Sequence, residues 1–175
     1  MLKRLFKPRP ARIAGQSLYA RTVVQARSTT LYTELGVPDT AEGRFELYSL
    51  HVWLLLDRLA GQGAQAAETS QALFDTYVSA LDNALREMGV GDLSVGKRMR
   101  KLGEAFFGRI RAYQAAMAGL PDTAPLQALL IRTAYAGLVT PKALELAAYV
   151  VAQRHALSES PLERLYAGDV NWAAT

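Results

Sequence analysis

Cysteine is absent from this 175-residue chain, which excludes disulfides and thiolate-bound metals and fits a reducing compartment. Histidine is scarce. His51 and His155 lie far apart in the sequence and read as helix-face residues, so neither zinc nor di-iron chemistry finds a ligand set and no cofactor is expected. No run of about eighteen uncharged apolar residues occurs, so no membrane-spanning helix is expected. The most apolar stretch, Leu47 to Leu56, is bounded by Glu46 and by Asp57 and Arg58, and it reads as a central helix buried on nearly every side. The first ten residues lack the apolar core of a signal peptide, and secretion is not expected. Low-complexity segments, solenoid-type repeats and strand-like alternation are missing as well.

What is present argues helix. Half of the residues are hydrophobic, enough for one compact domain with a full core. A first helix is expected over Ala11 to Arg27, with Ile13, Leu18, Val23 and Val24 as its apolar positions. Ser28 to Val37 reads as a connector punctuated by Gly36 and Pro38. Asp39 to Glu42 fits a capping box that opens a second helix running to about Leu59. After the Gly61 to Gly63 break, Phe74, Tyr77, Val78, Leu81, Leu85 and Met88 recur at steps of three and four, giving a third helix over roughly Ala66 to Met88. In the fourth, Val95, Met99, Leu102, Phe106, Ile110, Tyr113 and Met117 form one continuous stripe, with Lys97, Lys101, Gly108 and Arg111 mainly on the other side. Gly96, Gly103 and Gly108 lower helix propensity there. They make sense if another backbone approaches closely, within the fold before any external partner. Thr123 caps a fifth helix to about Tyr135, Thr140 and Pro141 open a sixth to His155, and Ser160 to Glu163 form a capping box for a short seventh to Ala167. The expected fold is all-α, a compact irregular bundle of six to seven helices, with residues 1–12 as a basic arm and 13–175 as a single domain.

Charge is distributed unevenly. Lys3, Arg4, Lys7, Arg9, Arg12, Arg21 and Arg27 precede the first acidic residue, Glu34. Lys97, Arg98, Arg100, Lys101, Arg109 and Arg111 form a second cluster, interrupted only by Glu104. Two concentrated positive surfaces point to an anionic partner: a membrane face, ribosomal RNA or an acidic protein patch. For the second cluster, ordinary solvated charge explains the residues equally well.

Gly91 to Lys97 satisfies the G-x-x-x-x-G-K pattern of a phosphate-binding loop, and Val52 to Asp57 imitates the strand and aspartate that would hold its magnesium. The context speaks against a nucleotide site. Arg98 occupies the position that needs a metal-ligating Ser or Thr, and a helical period precedes the loop where a strand is required. Gly89 is placed to end one helix in a left-handed cap, with Asp92 or Ser94 placed to start the next. No nucleophile with an adjacent base appears in the sequence. Glu42 and Glu46 read as a solvated edge, and the scattered aromatics form no base-stacking signature. Phe107, beside Arg111, is a candidate surface anchor. The balance favours a binding protein over an enzyme.

Two segments carry a family likeness. Gly43 to Leu59 is one. The other is Leu85 to Tyr113, with Met88-Gly89-Val90-Gly91-Asp92 at its turn and Glu104 to Arg109 beyond. Both resemble the ubiquinol–cytochrome c chaperone family, over roughly Thr30 to Leu138. The resemblance implies a non-enzymatic helical chaperone that binds newly made cytochrome b during biogenesis of respiratory complex III. Mitochondrial relatives also work at the ribosomal tunnel exit with a small partner protein. This short chain looks like a bacterial member, acting at the cytoplasmic face of the inner membrane. A ribosome- or RNA-binding adaptor is the alternative reading, and a nucleotide-binding protein a distant one. The client surface is expected at the junction of helices three and four and on the outer face of helix four: Asp92, Ser94, Lys97, Arg98, Lys101 and Arg109. Leu2, Lys3, Arg4, Phe6, Lys7 and Arg9 are expected to meet anionic lipid headgroups, each near-surface cation adding about 1 kcal/mol.

Overall fold

The computed structural model describes residues 10–174. Among them there is no strand, and the chain runs through eight helices: α1 (Pro10–Ala26), α2 (Thr29–Thr33), α3 (Ala41–Leu59), α4 (Ala64–Glu87), α5 (Asp92–Ala118), α6 (Ala124–Arg132), α7 (Lys142–Glu159) and α8 (Leu162–Tyr166). The all-α expectation holds, and the helix count exceeds it by one. The extra helix is α2, inside the expected connector. Its sequence, Thr-Thr-Leu-Tyr-Thr, is rich in β-branched residues with poor helix propensity. Burial of Leu31 holds it in place instead.

Helix α3 is the axis of the fold. Every residue from Ser49 to Leu55 is buried, nearly two turns with no solvent-facing side, as its composition requires. Leu47, Leu50, Trp53 and Leu54 lie in the main core with residues of α1, α6 and α7, each buried side chain contributing about 2 kcal/mol. Thr40 Oγ1 accepts from the Gly43 N–H at 3.1 Å and caps α3. The full capping box does not form: the N-cap is Thr40, which puts Gly43 where the box needs a glutamate, and Asp39 pairs with Arg44. Helix α1 departs from its expected face. Ile13 and Val24 are exposed, and the buried positions are Ala14, Gly15, Leu18, Thr22 and Ala26. Small residues along that line let α1 approach α4 closely, so the scattered aliphatics point away from the contact. The box expected at Ser160 is also absent: its hydroxyl donates back to the Ala156 carbonyl at 3.0 Å.

Buried polar groups join distant parts of the chain. His51 Nδ1–H donates to the Leu47 carbonyl at 2.7 Å, while Nε2 accepts from the Tyr149 hydroxyl at 2.7 Å. The same hydroxyl accepts from Gln25 Nε2 at 3.0 Å, so α1, α3 and α7 share one network. Trp172 packs edge-on against the imidazole, with ring centroids 5.4 Å apart. Gln153 holds the Ala173 backbone by both its amide groups, at 3.1 and 2.8 Å.

Complete burial depresses the His51 pKa to about 4, against a weaker opposing effect of the Leu47 hydrogen bond. The unfolded chain takes up this proton near pH 6.5 and the folded chain only near pH 4, so stability falls as pH drops through that window. By pH 5 the loss from this residue is about 2 kcal/mol. Urea unfolding at pH 7 and pH 5 checks it: the midpoint should fall with acidification in the native sequence and much less in His51→Gln.

Candidate functional site

The turn between α4 and α5 is built from local rules. Met88 N–H bonds to the Ala84 carbonyl, Gly89 N–H to Arg86 and Val90 N–H to Leu85, at 3.1, 2.9 and 3.1 Å. Gly89 sits at φ 78°. A left-handed glycine followed by a bond spanning back to the last turn is the Schellman ending of a helix. Two residues later α5 begins, its first bonds running from Ser94 and Val95 N–H to the Gly91 carbonyl at 2.8 and 3.1 Å. A helix therefore leads into the Gly91 to Lys97 pattern and Lys97 lies inside α5, which removes the strand and phosphate cradle that a nucleotide site needs.

The structure corrects the expected cap. Neither Asp92 nor Ser94 caps α5; the N-cap residue is Gly91. Asp92 pairs with Arg86, which also holds Asp82 at 2.7 Å, so this carboxylate ties the two helices across the turn. Met88 was expected to extend the apolar face of α4, yet the helix stops one residue earlier and Met88 is 63% exposed.

Beyond the turn, α5 places its stripe as expected. Val95, Phe106, Tyr113 and Met117 are buried, with Met99, Leu102 and Ile110 partly so. Phe106 belongs to a second, smaller cluster with Val52 and Tyr77. Ser94, Lys97, Arg98, Arg100 and Lys101 are exposed. These four cations take part in none of the ion pairs found among the described residues. Arg109 corrects the expectation of an outward cation. It forms two hydrogen bonds to Glu46, Nε to Oε2 at 2.8 Å and Nη2 to Oε1 at 2.7 Å, with the Glu46 side chain only 8% exposed. Glu46 is thus a buried anchor rather than a solvated edge, and the pair fastens α5 to α3. Of the six expected client residues, Ser94, Lys97, Arg98 and Lys101 share one exposed stretch, while Asp92 and Arg109 are engaged within the fold.

The glycines of α5 also depart from expectation. A Cβ added at Gly96, Gly103 or Gly108 would meet nothing within 4 Å, so no backbone of the fold approaches them. Phe107 is half-exposed, its ring 5.6 Å from that of Phe74 and 6.1 Å from that of Phe106. Leu93 escaped the sequence reading altogether, although it is fully exposed in the first turn of α5. The available signal was its place outside the apolar stripe. The arm residues Leu2, Lys3, Arg4, Phe6, Lys7 and Arg9 lie outside the described residues.

Comparison with known proteins decides the family. The profile described as Ubiquinol-cytochrome C chaperone matches residues 33–172. The chain belongs to the ubiquinol–cytochrome c chaperone family. The match reaches well past Leu138, so α7 and α8 are part of the ubiquinol–cytochrome c chaperone domain and not an appendage to it. The crystal structure of the Cbp3 homolog from Brucella abortus is 37% identical, with 99% of this chain and 97% of that chain covered, at a TM-score of 0.86. No curated protein matches the sequence. As a ubiquinol–cytochrome c chaperone, the chain is an assembly factor for the cytochrome bc1 complex. None of its described helices is long and apolar enough to cross a membrane.

Proposed function

We propose that the chain binds newly synthesised cytochrome b while ubiquinol–cytochrome c reductase is being assembled, and that it does so without catalysis, peripherally on the inner face of a bacterial inner membrane. The observation that carries this reading is the family membership over residues 33–172 together with an outward α5 face whose cations have no acidic partner among the described residues. Lys97, Arg98 and Lys101 supply long-range attraction and register for a client segment passing across the Gly89–Gly91 turn. Ser94 adds a hydroxyl to that surface. Arg109 and Asp92 support it indirectly, by holding α5 against α3 and α4.

Affinity capture from membranes tests the reading directly: cytochrome b should be enriched with the chain. Reversing charge at Lys97 and Lys101 together is expected to reduce crosslinking to cytochrome b about tenfold while leaving the fold intact, because both side chains are exposed and form no ion pair among the described residues. Unchanged crosslinking would remove α5 from the client surface. The same free cations support a second reading, a ribosome- or RNA-binding adaptor, for which salt-sensitive cosedimentation with ribosomes in the absence of cytochrome b is the distinguishing result. A small partner subunit would show itself in the same capture.

A further inference from the structure

Met88 and Leu93 stand bare on either side of the α4–α5 turn. Met88 is 63% and Leu93 102% exposed, so among the described residues nothing covers Leu93. A lone exposed leucine is common on any protein surface. Here two aliphatic side chains flank one hairpin end, and the helix that leaves it carries a cationic side. Leu93, Lys97, Arg100 and Lys101 are spaced four, seven and eight residues along α5, which puts them on one face, opposite the buried Val95 and Phe106.

We propose that this tip is a docking element for an anionic lipid surface, in which Met88 and Leu93 enter the headgroup region while Lys97, Arg100 and Lys101 lie against lipid phosphates. Charge complementarity selects the lipid. The cations have no carboxylate partner among the described residues, and their long stems can lie along an apolar boundary while the charged ends stay wet. The apolar groups beside them are aliphatic, which suits acyl chains and not nucleobases. The nearest aromatic ring on that side, Phe107, is already packed against Phe74 and Phe106. The docking is peripheral, and it requires no client.

The absence of cysteine makes a direct test practical. Leu93→Cys provides a single labelling site on a side chain without contacts, and an environment-sensitive dye attached there reports local polarity. In the full-length protein, dye emission is expected to shift to the blue with phosphatidylcholine vesicles containing phosphatidylglycerol, and not with phosphatidylcholine alone. Lys97→Glu combined with Lys101→Glu should weaken the partitioning roughly tenfold or more, and added salt should act in the same direction. Removing residues 1–9 should leave the shift in place. The proposal is overturned if anionic vesicles give no shift, if neutral vesicles give an equal one, or if the shift disappears with residues 1–9. It is equally overturned if ribosomal RNA or a cytochrome b peptide produces the shift and vesicles do not. If the native chain responds to anionic vesicles but enriches no cytochrome b from membranes, the client reading alone is sunk.

Discussion

Arg109→Met is expected to lower the folding stability by about 3 kcal/mol, because it leaves the Glu46 carboxylate buried without its partner. Glu46 is 6% exposed, and both of its oxygens are taken by the guanidinium at 2.7 and 2.8 Å. Removing one member of such a pair costs more than the pair itself contributes, since a desolvated charge remains. The double variant Glu46→Gln with Arg109→Met should therefore recover most of the loss. Arg109→Lys should not, because an ammonium cannot reproduce the two parallel bonds of the planar fork. Urea midpoints for these three variants and the native chain give the comparison. If both single replacements changed stability by less than about 0.5 kcal/mol, the pair would be an ordinary surface contact, and the attachment of α5 to α3 would have to come from the apolar cluster of Val52, Tyr77 and Phe106.

A single methyl group should do comparable damage at Gly15. A Cβ placed there would stand 2.5 Å from the Ala72 carbonyl carbon and 2.6 Å from the Leu73 nitrogen. Those atoms are the backbone of α4, and relief requires moving one helix away from the other across a packed contact. In an open helix, glycine to alanine gains up to about 1 kcal/mol. At this crossing the steric cost outweighs the gain, and Gly15→Ala is expected to lose about 3 kcal/mol, lowering Tm by roughly 6–12 °C for a chain of this size. Gly103→Ala supplies the contrast. Nothing lies within 4 Å of its added Cβ, so the same substitution should leave Tm unchanged or raise it slightly. Equal effects at the two glycines would contradict the close approach of α1 and α4.

The parts of the fold that could be read in advance are those whose cause is local. The all-round apolarity of Leu47 to Leu56, the stripe of α5 and the left-handed ending at Gly89 each follow from neighbours within a turn or two. Contacts made across the chain could not be read. Glu46 and Arg109 are 63 positions apart and His51 and Tyr149 are 98 apart, so a glutamate that reads locally as a solvated edge is a buried anchor in the fold. Caps went wrong for a related reason: Asp39, Asp92 and Ser160 each found a different partner, and several good partners compete for one short polar side chain. In α1, small residues beat larger aliphatics because what decides burial there is how near α4 comes.

The second, smaller apolar cluster has a consequence for how the molecule breathes. From Val78 to Ala105 only Leu85 and Val95 are buried, so the outer reach of α4 and α5 is held chiefly by its own two strokes of helix. Opening it exposes little apolar surface and leaves the trunk around α3 closed, which places its amide protons among the earliest to exchange with solvent. The chain thus joins a thinly packed limb to a firmly packed body.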